Sequence, residues 1–189
     1  MNHFASLLLV LGLLVPIPAP AQDKPAAPKQ VTHQITGLFS PDREKDLRDL
    51  FTKIPDIKLI SVDFENAEAV LEYDAATRFP DAKTPEQLIE QLNNAILHPS
   101  RGAFGVKPLR TIPKDKLKLI EIDVAGLDCK GCSLGAYLAV FRLPGVEKAT
   151  ASFKIGKVTA LVDPEKIDRA TLEKELKARE VTILPPKAR

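Results

Sequence analysis

The sequence predicts an α+β fold of two tandem β-α-β-β-α-β units, and three observations carry that expectation. First, a displacement of 89 residues sets Gly37-Leu38 on Gly126-Leu127, Pro55 on Pro144, Ile57 on Val146, Phe64 on Phe153 and Asp74 on Asp163, without a gap. Second, the helical phase superimposes: Leu47, Leu50, Phe51 and Ile54 form an i, i+3, i+4, i+7 apolar stripe, and Ala136, Ala139, Val140 and Leu143 repeat it. Third, strand alternation repeats. Ile60, Val62 and Phe64, then Ala69, Leu71 and Tyr73, are matched by Ala149, Ala151 and Phe153, then Val158, Ala160 and Val162. A short turn, "ENAE" or "KIGK", joins each pair of strands into a hairpin.

Taken in order, residues 1–21 contain no Lys, Arg, Asp or Glu and carry the apolar run "LLLVLGLLV", too short to span a bilayer. With Ala19-Pro20-Ala21 behind it, the run reads as a secretory signal peptide cleaved before Gln22. An uncleaved N-terminal anchor is the alternative, because "MNHF" lacks Lys and Arg. Residues 22–30 are a Pro/Ala/Lys tether. The first unit, 31–109, runs from the strand "VTHQIT" through the α-β-β block to a second helix, "TPEQLIEQLNNAIL", with Thr84 as N-cap and Pro85 at its first position. It ends in the weak strand "AFGVKPL". Residues 110–116, "RTIPKDK", are the linker. The second unit, 117–184, opens on "LKLIEIDVA" and has its second helix in "DRATLEKELKARE", capped by Asp168 or Thr171, before the strand "EVTIL". A tail, 185–189, follows. This element order is the ferredoxin-like one, with two helices over one face of a four-stranded antiparallel sheet.

Composition sets limits on function. The 189 residues are 44% apolar and 28% charged, as in a folded globular chain, and 27 basic against 25 acidic residues leave a net charge of +2. No basic block or aromatic-basic face calls for nucleic acid. No catalytic constellation stands out: Glu173 and Glu175 alternate with lysines as a solvated helix face does, and the glycines at 102 and 105 read as a turn. The chain is therefore expected to be no enzyme, to have no membrane span once mature, and to work in the periplasm or as a secreted protein.

The only two cysteines, Cys129 and Cys132, lie in "GLDCKGC" between a strand and a helix. A helix start favours the thiolate, and Lys130 adds a nearby positive charge. Thiolate serves both metal binding and disulfide exchange, so both readings stand, with a stapled turn as a third. Two thiolates are an incomplete zinc site, whereas Cu(I) suits a soft low-coordinate pair. His33 and His98, in the first unit, read as surface or half-buried rings rather than ligands.

"GLDCKGC", followed by "LPGV", a hairpin and a second helix, resembles the heavy-metal-associated domain of copper chaperones, copper-ATPase modules and the periplasmic mercury-binding protein. Gly126, Cys129 and Cys132 match its G-M-x-C-x-x-C signature, and Leu127 replaces the usual methionine as an apolar plug. The resemblance covers 117–184. It implies a soft-metal carrier, chaperone or scavenger with Cys129 and Cys132 as metal ligands, copper first, Hg(II) or Zn(II) next, and a metal donor or acceptor protein as partner. Where the family often has Gly-Tyr or a lysine facing the cysteines, "KAREVTI" offers Lys177 and Arg179. In the first unit Ser40 and Arg43 stand at the cysteine positions, so it resembles the same domain with its site erased. It reads either as a docking module presenting Asp42 and Arg43 to a partner or as a duplicate kept because it packs against its neighbour.

Overall fold

The computed structural model describes residues 28–185; the segment read as a signal peptide, most of the tether and residues 186–189 lie outside them. The first unit is β1 (Lys29–Thr36), α1 (Arg43–Phe51), β2 (Lys58–Asp63), β3 (Glu68–Tyr73), the single turn α2 (Ala75–Arg78), α3 (Pro85–Leu97) and β4 (Gly105–Lys107). A 3-10 turn at Lys114–Lys116 leads to β5 (Lys118–Ala125), α4 (Lys130–Phe141), β6 (Val146–Ser152), β7 (Lys157–Val162), α5 (Arg169–Lys177) and β8 (Thr182–Ile183). The sheets are antiparallel, in the orders β2-β3-β1-β4 and β6-β7-β5-β8. Both are the ferredoxin-like order, so the α+β reading holds in each unit.

Local chemistry sets the helix starts. Thr84 accepts from the Gln87 N–H and Asp168 from the Thr171 N–H, each satisfying a donor the helix leaves free. In the first unit, Leu47, Leu50 and Phe51 of α1 and Leu92 and Ile96 of α3 bury against Ile35, Leu71 and Val106 of the sheet. In the second, Ala136 and Val140 of α4 and Leu172 and Leu176 of α5 meet Ile122, Val158 and Ala160. Ile54 and Leu143 pack at the core just past their helices rather than on them.

Three details depart from the sequence reading. Strand β1 begins at Lys29, inside the segment read as tether, because β3 is long enough to pair Lys29 with Tyr73 and Gln30 with Glu72. The extra residues of the first copy hold α2, whose N–H groups at Ala76 and Thr77 are capped by Asp74. In β2 a bulge between Leu59 and Ser61 breaks the alternation and leaves Ile60 43% exposed, while its counterpart Ala149 is buried. Strand β6 carries its bulge earlier, between Val146 and Lys148, so the two hairpins regain the same register by different routes.

The units touch through the segment after β1. Phe39 leaves its own unit and joins the core of the second, 3% exposed, with its ring 5.7 Å from that of Tyr137. The Tyr137 hydroxyl accepts from the Gly37 N–H at 2.9 Å, and the Ala151 N–H of β6 donates to the Phe39 carbonyl at 2.9 Å. Gln34 Nε2 donates to the Glu147 carbonyl at 2.7 Å. β6 is an edge strand, and an uncovered edge is a site for unwanted pairing. The first unit covers part of it.

Candidate metal-binding site

The cysteine loop is built by the end of β5. Gly126 takes a left-handed conformation, φ +82°, which turns the chain out of the strand. Leu127 then drops into the core, 5% exposed, as the apolar plug the sequence suggests. Cys129 is extended, φ −151° and ψ 167°, and is the N-cap of α4: its Sγ accepts from the Cys132 N–H at 3.1 Å. Cys132 lies in the first turn. The same cap that starts the helix thus aims both side chains at one point. The two Sγ atoms are 2.6 Å apart and both thiols are free, Cys129 exposed and Cys132 partly covered.

Electrostatics separate the two sulfurs. The hydrogen bond between the two thiols, with the N–H groups of Cys132 and Gly131, pulls the Cys129 thiol below its usual range against the opposing charge of Asp128. Cys132 is pushed up by that same bond, by burial and by the Cys129 charge.

Of the expected neighbouring cations, Lys130 behaves differently from the sequence reading. Lys130 turns to Asp42 of the first unit, 2.9 Å away, and that bond raises its affinity for its proton. Lys177 and Arg179 are exposed at the end of α5 and in the turn after it. The groups acting on Cys129 are those of its own loop. His33 is a correction: it is buried at 4% exposure, against the surface or half-buried ring expected, because its Nε2 pairs with the Tyr73 hydroxyl at 3.0 Å inside the first unit. Burial lowers its proton affinity. Among the described residues no group of three or more His, Cys, Asp or Glu side chains could hold a metal.

At the twin loop, the cysteine positions have become structural. Ser40 Oγ donates to Asp42 at 2.7 Å, and the Arg43 guanidinium lies 4.2 Å over the Phe104 ring and 5.1 Å from that of Phe39. Asp42, held low by Ser40 and Lys130, faces the sister unit. Sequence reasoning passes over Phe39 and Tyr137, the residues that join the loops. A signal exists: the 89-residue offset sets the bulky apolar Phe39 against Asp128, a mismatch in an otherwise matched loop.

No family model matches the chain. Over 72 residues it is 31% identical to a zinc-transporting ATPase of Synechocystis sp., a match covering 38% of this chain. The chain spans only 10% of that curated relative's length. Among solved structures, the N-terminal soluble domains of Bacillus subtilis CopA align at 15% identity and TM-score 0.34, over 82% of this chain and 92% of theirs. The CopZ metallochaperone aligns at 18% identity and TM-score 0.35, over 35% of this chain and 100% of its own. By sequence this chain is similar to part of a zinc-transporting ATPase, and the solved structures that align with it include a metallochaperone and a copper binding domain of a P-type ATPase.

Proposed function

We propose that the chain binds a soft metal ion, Cu(I) first, as cargo between the thiolates of Cys129 and Cys132, and hands it to or takes it from another protein. One observation carries this: the helix cap directs both sulfurs to a single exposed point. Two soft donors suit Cu(I), which is content with few ligands, better than Zn(II), which wants four. The stretch shared with a zinc-transporting ATPase supports a metal role and keeps zinc as the second ion. The reading is of a binder, not a catalyst. The test is competition for Cu(I) between the reduced full-length chain and a chromophoric Cu(I) chelator. About one ion per chain should resist the chelator, and a Cys129→Ser, Cys132→Ser variant should retain none; equal retention by both would end the proposal.

A second reading, a thiol-disulfide exchanger, draws on the asymmetry of the pair. An exposed thiol of lowered pKa beside a more covered one of raised pKa is the arrangement of an attacking and a resolving cysteine. Catalysed disulfide reshuffling by the metal-free chain would favour it over metal carriage.

Export is proposed on the apolar run and the Ala19-Pro20-Ala21 site, both outside the described residues. Mass spectrometry of protein from the cell envelope or medium should find an N-terminus at Gln22. Recovery of the intact chain from the cytoplasm would refute it. Among the described residues no helix is long and apolar enough to cross a membrane.

A further inference from the structure

A cavity of about 410 Å³ opens between the two units, and Lys130 of the cysteine loop and Asp42 of its twin are among the residues that line it. Its apolar wall joins Phe39 and Phe64 of the first unit to Phe153 and Ile155 of the second. Its floor is β6 and the first turns of α4, through Thr150, Ala151 and Ser133. Neither unit alone makes it. The volume falls in the range of real ligand pockets.

Two of its features call for an occupant. Ser133 lines the cavity at 1% exposure, and its Oγ has no hydrogen-bond partner among the described residues. A buried hydroxyl without a partner is costly, so one supplied by a ligand is favoured. Phe153 and Ile155, at the rim, are 40% and 68% exposed, and large apolar side chains grouped at a cavity mouth mark a contact surface.

The kind of occupant follows from what already sits next to it. On the same edge of β6 the segment Phe39–Asp42 is docked by the bond from the Ala151 N–H to the Phe39 carbonyl, with the Phe39 ring in the second unit's core. The cavity continues that interface along the strand toward Ile155. We infer that this inter-unit groove is a docking site for an extended segment of a partner protein, which places a bulky apolar side chain between Phe64, Phe153 and Ile155 and offers a main-chain polar group to Ser133. The mode is strand-edge recognition with a side-chain pocket. The cysteine-free unit thereby acquires a role, as one wall of the site that holds a partner beside the cysteine loop. Docking needs no metal, so its outcome is separate from the metal proposal.

The test is a 15N-1H NMR titration of the reduced, metal-free full chain with the capped peptide acetyl-Thr-Val-Phe-Val-Thr-amide. A second peptide with Asp in place of Phe is the control. Saturable shifts are expected at Ser133, Thr150 to Ile155, Ser40 and Asp42 with the first peptide only. Affinity should fall about tenfold in Ile155→Asp, equivalent to roughly 1.4 kcal/mol. Ile155 is exposed, so that variant should keep the parent melting temperature. The Cys129→Ser, Cys132→Ser variant should bind the peptide as the parent does. Absence of saturable shifts, equal response to both peptides, or unchanged affinity in Ile155→Asp would overturn the inference. So would binding to phosphatidylglycerol vesicles through Phe153 and Ile155 without any peptide response, which would assign the rim to a membrane surface.

Discussion

Gly37 and Gly126 are the same residue of the two copies, and both are left-handed, φ +90° and +82°, yet they tolerate change differently. A Cβ at Gly126 meets open space, whereas at Gly37 it would lie 2.0 Å from the Ala103 carbonyl oxygen. Gly126→Ala should cost only the conformational term, about 1–2 kcal/mol. Gly37→Ala adds a backbone clash and should cost clearly more, read as the larger loss in urea midpoint. His33 gives a pH signature. Its folded-state pKa lies below the ordinary 6.5, so the unfolded chain holds more protons across the window between the two values. Stability therefore rises with pH through that window and is lost as pH falls from about 6.5. In His33→Gln this slope should flatten; an unchanged slope would show that another group sets it.

At the scale of elements, α4 has its start and its chemistry in one residue. Cys129 caps the helix through sulfur, and serine is a better capping residue. Cys129→Ser should thus hold the melting temperature at or above the parent value while removing a thiolate, and Cys129→Ala should lower it. The element order and this loop-to-helix setting are legible in the sequence because they rest on local period and on a repeat that can be counted. The bulges are not. Ile60 fits the alternation by type, but the pairing partner in β3 decides which way it faces, and that is a long-range fact. The burial of His33 escapes the sequence for a related reason: only the fold brings the Tyr73 hydroxyl to its ring and makes burial tolerable.

For the molecule as a whole, Phe39 and Tyr137 make the two units interdependent. Phe39→Ala empties a buried position and should cost about 3–5 kcal/mol, most of it in the second unit. Tyr137→Phe leaves the Gly37 N–H without its partner and should cost about 1–3 kcal/mol. If the units act together, heat unfolds the parent in one calorimetric transition, and Phe39→Ala separates it into two. The repeat leaves open whether the first unit packs against its neighbour, and the mismatch of Phe39 against Asp128 marks a residue without naming its partner; the contact of the erased loop with the intact one emerges only in three dimensions. The cysteine-free unit is thereby part of the second unit's structure, with Asp42 holding the Lys130 that the sequence alone would give to the thiolates. The central claim remains a two-sulfur site for a soft ion at Cys129 and Cys132. X-ray absorption at the copper edge of the Cu(I)-loaded chain tests it most directly. Two sulfur scatterers per copper, absent in the double serine variant, are expected; a first shell dominated by nitrogen or oxygen would contradict it.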